Sequence, residues 1–424
     1  MPEDGSLAKK QREENRKKWD ELSFETRILR AGEDPFPETI NSLRPPIYQT
    51  KSFAYSSLTE LAEGRYSYTR TENPTLYALD DKLAALHGGE AAVTVASGMA
   101  AVHVACSSYL QTRLERKSPD HVKKYMPQNN PERVPNIVFH TNQYTGTFRL
   151  FTKLYPQIGV EPRIIDMTDL SAVEAAVDDN TKFVFVETPA NPNVDVLDIQ
   201  ALAEIAHSRN AKCIVDNTFA SPVLTRPLEW GADLVVESLT KFINGHGDSL
   251  GGVVVGPEKQ IQNIRYFWLE LQGAVMSPFN AWLILRGMRT LNLRMERHSA
   301  TALQLASFLE HHPRVTSVMY PGLESHPHHD VAKKQMSAFG GMIGFEVASE
   351  EVALKFIDRL KLIKVGVSLG DTTSLMQYTA LMTGVTISPR ERRVMRVSNT
   401  QFRFSVGLEA FEDLRRDLDQ ALSA

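Results

Sequence analysis

Cysteine is scarce: Cys106 and Cys213 are the only two in 424 residues, with no CxxC and no paired spacing. A disulfide framework is therefore not expected, and a reducing compartment is. No apolar run approaches the ~20 residues that span a membrane, so no membrane partner is expected. Charge of one sign is missing too. Forty-seven Lys and Arg stand against 51 Asp and Glu, a formal net charge of −4, which gives no support for nucleic-acid binding. Neither GxGxxG after the first strand nor a GxxxxGKS/T loop is present, which argues against a non-catalytic nucleotide-binding α/β protein. Residues 1–22 lack the apolar core of a secretory signal. Their six basic residues (Lys9, Lys10, Arg12, Arg16, Lys17, Lys18) are matched by six acidic ones, where a transit peptide is poor in acids. This stretch reads as a solvated helix or disordered extension, and the expected location is cytoplasmic.

With 42% hydrophobic and 23% charged residues over this length, the chain has the composition of a soluble protein of two domains. Residues 24–70 are rich in Pro, Tyr and Thr with weak periodicity, as in an extended arm. Short β-branched runs then recur at 92–96, 136–140, 163–166, 183–187, 213–216, 234–237 and 252–255, with helical patterns such as 170–177 and 198–208 between them. That alternation predicts a mainly parallel, doubly covered sheet. After Pro278 a long helical stretch, 280–308, leads into a strand–helix–strand region ending near Arg403–Val406. The expected division is an extension and arm over 1–72, a large α/β domain over 73–291 and a smaller α+β domain over 292–424. Residues 111–134, with Pro119, Pro127 and Pro131, read as a surface insertion.

Open α/β sheets bind ligands at the C-terminal ends of their parallel strands, and three such ends carry chemistry here. At Val95-Ala96-Ser97-Gly98-Met99 a strand turns into a helix whose free N–H groups and dipole suit a phosphate. Asp216 closes the apolar run Cys213-Ile214-Val215. It reads either as a helix N-cap or as a carboxylate facing a cation such as a protonated pyridine. Lys241 follows Leu234-Val235-Val236-Glu237-Ser238-Leu239-Thr240. It is either a lysine snorkelling from a strand end or an amine made nucleophilic by desolvation. Ser238 and Thr240 alternate with Leu239, so they are expected to share a strand face and reach a phosphate. The three ends together suit three parts of one cofactor.

Five motifs carry a resemblance: Tyr68-Thr-Arg70-Thr-Glu-Asn-Pro-Thr75, Ala96-Ser-Gly-Met-Ala-Ala101, Glu187-Thr-Pro-Ala-Asn-Pro192, Val215-Asp-Asn-Thr-Phe-Ala-Ser-Pro222 and the Lys241 segment. The chain resembles the Cys/Met-metabolism family of pyridoxal-phosphate (PLP) enzymes: cystathionine γ-synthase and γ-lyase, methionine γ-lyase and the O-acylhomoserine sulfhydrylases. The similarity runs from Thr26 to about Asp417. It implies the aspartate-aminotransferase-like fold (fold type I), with a seven-stranded sheet in the large domain. It also implies pyridoxal 5'-phosphate carried on Lys241, with Asp216 on the pyridine nitrogen, Asn191 near the ring oxygen and Tyr144 stacked on the ring. Ser97, Gly98, Met99, Ser238 and Thr240 match the phosphate cup. Tyr68 and Arg70 match residues that enter from a neighbouring subunit, within a homotetramer built from dimers with shared sites. Arg403 matches the clamp on the substrate carboxylate, with Ser368 beside it.

The reaction so implied starts when Lys241, displaced by the substrate amine, takes the Cα proton and shuttles a Cβ proton. The substituent on Cγ then leaves with a proton from Tyr144. Elimination and replacement share these steps, so both a γ-lyase and a γ-replacement transferase stay open. Several positions depart from the pattern. Val367 stands where cystathionine enzymes carry glutamate, and Gly146 where methionine γ-lyases carry cysteine. Leu269-Glu270 replaces Lys-Asp, while Gln377-Tyr-Thr-Ala380 and Thr383-Gly384 replace His-Pro-Ala-Ser and Thr-His. The cofactor machinery is intact and the substrate pocket is unusual, which leaves room for a non-sulfur leaving group. His326, His328 and His329 follow a Pro-Gly turn that the family also fills with His and Pro, so no metal is expected. His246 reads as structural.

Overall fold

The computed structural model describes residues 19, 21–32, 42–59, 66–110, 134–382 and 388–423. Most of the 1–22 extension, the insertion at 111–133 and Thr383-Gly384 lie outside the described residues. Seven strands form one sheet: β1 (Ala91–Val95), β2 (Asn136–His140), β3 (Glu161–Ile165), β4 (Thr181–Glu187), β5 (Lys212–Asp216), β6 (Leu234–Glu237) and β7 (Gly252–Gly256). Their order is β1-β7-β6-β5-β4-β2-β3. The five strands from β6 to β3 run parallel, and β7 is antiparallel to both its neighbours. All seven β-branched runs of the sequence are strands of this sheet.

Alternation along the strands explains why both faces are covered. Phe183 and Phe185 of β4 share one buried cluster with Phe139 and Val236, whereas Val184 and Val186 share another with Val138 and Val215. Helix α1 (Phe24–Arg30) buries Ile28 against α2 (Pro74–His87), so part of the stretch expected to be an extended arm is helical and packed. Ser23 caps α1 by accepting from Thr26 N, and Lys82 Nζ donates to the Ile28 carbonyl at 2.9 Å. Helix α3 (Gly98–Leu110) packs on the Phe185 face. A short helix, α4 (Thr145–Arg149), follows β2. Helices α5 (Leu170–Ala176) and α6 (Ile199–Ser208) cover the Val184 face, each capped by an aspartate, Asp169 and Asp198.

The single helical stretch expected over 280–308 is two helices, α7 (Pro278–Met288) and α8 (Leu291–Glu310), with a break at Arg289-Thr290. The freed Gly287 carbonyl accepts from the Thr290 hydroxyl and from Arg294. A second sheet follows, with strands β8 (Val315–Met319), β9 (Met342–Val347), β10 (Lys364–Val365), β11 (Leu375–Tyr378) and β12 (Gln401–Ser405), in the order β10-β11-β12-β9-β8. Phe402 and Phe404 of β12 face a core with Phe356 of α9 (Glu350–Arg359) and Leu414 and Leu418 of α10 (Phe411–Leu422). The intervening residue, Arg403, points the other way, toward the end of β4. This alternation brings the two sheets together at the site.

Candidate active site

The parallel ladder aligns the ends of β4 and β5, where Glu187 and Asp216 are register partners. Glu187 is fully buried and accepts from two backbone N–H groups, Tyr144 at 2.8 Å and Asn191 at 2.8 Å. Burial, and then the charge of Asp216, hold its carboxyl well above the usual range. Asp216 accepts from the Thr218 backbone at 3.0 Å and the Thr218 hydroxyl at 2.6 Å, a local turn rather than a helix N-cap. Burial lifts Asp216 to about 6 against the pull of those two bonds, and Glu237 adds to the rise. Among the described residues no cationic side chain pairs with it.

Thr218 passes the connection onward, because its hydroxyl oxygen accepts from Ser238 N at 2.9 Å. That bond takes the backbone out of the ladder: β6 ends at Glu237, so Ser238 and Thr240 do not share a strand face as expected. The Thr240 hydroxyl instead pairs with the backbone of Gly251. Ser238 lies under the turn into α3, where a side chain on Gly98 would come 2.7 Å from Ser238 Cβ. The Ser97 hydroxyl caps that helix by accepting from Ala100 N at 3.2 Å, and Met99 follows Gly98 in its first turn. This is a close cradle at a helix N-terminus, with the first-turn N–H groups available to an anion.

Lys241 sits in the turn after β6, and Arg294 holds that turn by donating to the carbonyls of Phe242 at 2.6 Å and Ile243 at 3.1 Å. Burial, and then the charge of Arg403, lower the Lys241 amine to about 8. The amine donates to the Ser368 hydroxyl at 2.8 Å. Ser368 has φ +84°, a region an L side chain adopts at a cost, and Gly370 has φ +74°. A Cβ on Gly370 would lie 2.5 Å from Phe242 N, so this loop rests directly on the lysine backbone. Arg403 ties the assembly together, donating to Asn191 Oδ1 at 2.9 Å and to the Ser368 carbonyl at 2.8 Å. Its Nε is buried without a partner, and burial brings the guanidinium down to about 10.

Lys241, Asp216, Asn191, Ser238, Ser368 and Arg403 are thus gathered by direct bonds or shared strand ends. Tyr144 adjoins them through Glu187, with its side chain 46% exposed. Tyr68 and Arg70 are not brought there. Both are exposed, with the Arg70 guanidinium 5.0 Å from the Tyr68 ring centroid. His326 Nδ1 accepts from His328 N at 3.1 Å and its Nε2 lies 3.2 Å from the carbonyl of distant Val194, and no cluster suited to a metal occurs among the described residues. The His246 ring bonds the Asn244 carbonyl at 2.7 Å. Glu187 and Thr218 were not singled out in the sequence. The signal for Glu187 was present, since it closes the apolar run Phe183-Val-Phe-Val186 just as Asp216 closes its own.

A buried amine of lowered pKa, beside two strand-end carboxylates and an anion cradle, defines an α/β enzyme built to bind a carbonyl cofactor. Comparison with known proteins agrees. The family of Cys/Met metabolism PLP-dependent enzymes matches residues 25–423. A protein named L-methionine gamma-lyase from Fusobacterium nucleatum subsp. polymorphum is 42% identical over 390 residues, covering 90% of this chain and 93% of that one. One named cystathionine beta-lyase from Lactococcus lactis subsp. cremoris is 38% identical, covering 94% and 99%. The crystal structure of metB from Corynebacterium glutamicum aligns with a TM-score of 0.86 at 38% identity, over 96% of this chain and 99% of that one. The chain belongs to the Cys/Met-metabolism family of PLP-dependent enzymes.

The residues present fit that cofactor. Lys241 offers an amine that gives up its proton at about pH 8, well below the range of an ordinary lysine. Asp216 is a buried carboxylate that lacks a cation. The turn at Gly98 lies so close to Ser238 that no side chain fits at 98, which leaves the backbone N–H groups at the start of α3 uncovered by one.

Proposed function

We propose that this protein is a PLP-dependent γ-lyase, which converts an amino acid substituted at Cγ, with water, into a 2-oxo acid, ammonia and the released substituent. The observation that carries it is the Lys241 amine, lowered to about 8 and held 2.8 Å from the strained Ser368. The relatives named methionine gamma-lyase, at 42% identity over nine-tenths of the chain, support the choice of Cγ. Lys241 carries the cofactor. Asp216 holds its ring nitrogen, Asn191 its ring oxygen and Tyr144 its face. Ser97, Gly98, Met99, Ser238 and Thr240 hold its phosphate, completed by Tyr68 and Arg70 of a neighbouring subunit.

PLP, when bound, supplies an electron sink for negative charge developing on the substrate carbons. Everything else falls to the chain. Arg403 clamps the substrate carboxylate, its unpaired Nε being the buried donor left for it. Lys241 Nζ, freed by the substrate amine and oriented by the Ser368 hydroxyl, takes the Cα proton and then moves a Cβ proton. The Tyr144 hydroxyl protonates the group leaving Cγ. The assembly is a homotetramer built from two dimers, in the cytoplasm. Its exposed Tyr68–Arg70 turn supports the shared site, and no described helix is long and apolar enough to cross a membrane.

The test is a screen of γ-substituted amino acids, scoring ammonia and 2-oxo acid with and without an added thiol. Thiol-independent release of both products is the expected result. A product formed only when thiol is present, with no ammonia, would replace the lyase by a γ-replacement transferase. Because Val367, Gly146 and Tyr378 alter the substrate side, the screen includes leaving groups joined through oxygen and nitrogen as well as sulfur.

A further inference from the structure

Residues 68–72 form a tight turn in which the Tyr68 carbonyl accepts from the N–H groups of Thr71 and Glu72, both at 3.0 Å, and from the Thr71 hydroxyl at 3.1 Å. Arg70 is at its centre and exposed, and among the described residues it has no carboxylate partner. Its guanidinium lies over the Tyr68 ring, 5.0 Å from the centroid, and the residue stays exposed. An exposed turn of this kind is ordinarily mobile. This one is pinned from below by buried charge.

Arg265, 4% exposed, donates to Asp80 Oδ2 at 2.7 Å, to the Ala92 carbonyl at 2.9 Å and to the Thr71 carbonyl at 3.2 Å. Asp80 also accepts from Thr94 N at 2.8 Å, which ties the pair to β1. The guanidinium lies 4.7 Å from the Tyr77 ring centroid. One residue on, the Tyr266 hydroxyl donates to Glu72 in a short bond, and the Tyr77 hydroxyl approaches the same carboxylate oxygen at 3.5 Å. Arg265 and Tyr266 begin a segment, Ile264–Leu269, whose winding widens to the π pattern, a local departure that in helices tends to accompany function. Burying an Arg–Asp pair gives little net stability, because desolvation offsets the attraction. What such a pair does well is fix geometry, and the geometry fixed here is that of the backbone on either side of Arg70.

We propose that Arg265, Tyr266 and Glu72 are positioning residues that hold Arg70 and Tyr68 in the orientation needed to receive the cofactor phosphate bound by a second copy of the chain. This rests on the shared-site reading above and adds to it the means by which one subunit keeps its arm ready for the other. The brace acts in trans: damage to it harms the neighbour's site and leaves the damaged chain's own site sound.

The experiment uses the assembled holoenzyme and reads cofactor retention, not turnover. Tyr266→Phe removes one hydroxyl, and retention of PLP after dialysis should weaken by about tenfold, the scale for a hydrogen bond to a charged group partly transmitted to its target. Tyr266→Phe chains are then mixed with mass-tagged Lys241→Ala chains, dissociated and reassembled, and bound PLP is fixed by borohydride and located by mass. In the hybrids, the lysine-bearing Tyr266→Phe chain receives an intact arm, so its retention should return toward wild type. Weak retention that stays with the Tyr266→Phe chain in every assembly, or retention unchanged in the variant alone, overturns the proposal. A parallel mixture of Lys241→Ala with Arg70→Ala tells which idea failed. If that mixture regains activity while the Tyr266→Phe hybrids do not recover, the site is shared and the brace is wrong. If neither recovers, the shared site itself falls. Should Tyr266→Phe not assemble, Glu72→Gln tests the same bond with the carboxylate's shape retained.

Discussion

The two halves of the site are built differently. The cofactor half stands on the ends of β4, β5 and β6, where the parallel ladder sets Glu187 opposite Asp216 and Thr218 links Asp216 to Ser238. The substrate half rests on a loop laid over the lysine backbone, with Ser368 and Gly370 both at positive φ, and on β11, which carries Gln377 and Tyr378. Strand ends cannot move without breaking a sheet, whereas a loop can change its side chains and keep its path. Of the positions that depart from the family pattern, Val367 lies on that loop, Gln377 and Tyr378 lie on β11, and Gly146 lies in α4 under the exposed Tyr144 ring, while Leu269-Glu270 falls outside both halves. None lies on a strand end of the cofactor half. On the function proposed above, chemistry rests on the ladder and choice of substrate on what is attached to it.

Lys241→Ala gives the sharpest break. It should abolish turnover and the borohydride-trappable link between protein and cofactor, while the cradle still binds PLP loosely. Full activity would end the mechanism given above. The lysine also predicts a pH dependence. Loading needs the neutral amine, and burial lowers its pKa to about 8 from the ordinary ~10.4. The rate at which apoprotein captures PLP should thus climb with pH through about 8 and level off above it. Stopped-flow absorbance checks this, and a climb continuing to pH 10 would mean the amine is not desolvated.

Asp216→Asn comes next. Removing a preorganised charge that acts where negative charge develops costs on the order of 100-fold or more in kcat, with a much smaller loss in cofactor retention. Steady-state kinetics beside equilibrium dialysis separate the two. An effect confined to retention would move Asp216 from chemistry to mere binding. A smaller, partial effect is expected from mixing Lys241→Ala with Arg70→Ala chains: each is inactive alone, and activity returns in the hybrids that pair an intact lysine with an intact arm. No recovery would confine each site to one chain.

Much of this was legible in the sequence because strand ends announce themselves. Each β-branched run became a strand, and a charged residue closing an apolar run marked Asp216. The same mark stands on Glu187, which closes the apolar run Phe183-Val184-Phe185-Val186. What was not legible depended on contacts far apart in the chain. Ser238 looks like a strand residue until Thr218 takes its N–H, a bond across 20 positions. Helix α1 is seven residues long and is secured by burial of Ile28 rather than by its own periodicity. The break between α7 and α8 has no proline to mark it, and it is closed by the Arg294 side chain from the following turn. The positive φ at Ser368 likewise has no local signature, and the partners of that residue, Lys241 and Arg403, lie far from it in the chain.

Gly146→Ala offers the finest test of the division between the halves. A Cβ at this position would meet Tyr144 Cε1 at 2.5 Å and Met99 Sδ at 2.9 Å, both closer than real contacts allow. The Tyr144 backbone cannot retreat, since its N–H is held by buried Glu187 at 2.8 Å. The ring itself must therefore turn, on the exposed side where the γ-substituent is expected to lie. Lys241, Asp216 and Gly98 do not touch residue 146, but Met99 and Tyr144 do, so a modest loss of PLP retention is expected. Discrimination should change as well: the ratio of kcat/KM for two amino acids differing only in the atom joined to Cγ should shift by about tenfold, the scale set by one misplaced methyl group in a pocket. The measurement is competitive, with both substrates in one reaction and the two leaving groups quantified together. Should both rates fall by one common factor while cofactor loosens, Tyr144 belongs to the rigid half, and the boundary between chemistry and choice runs through a different residue.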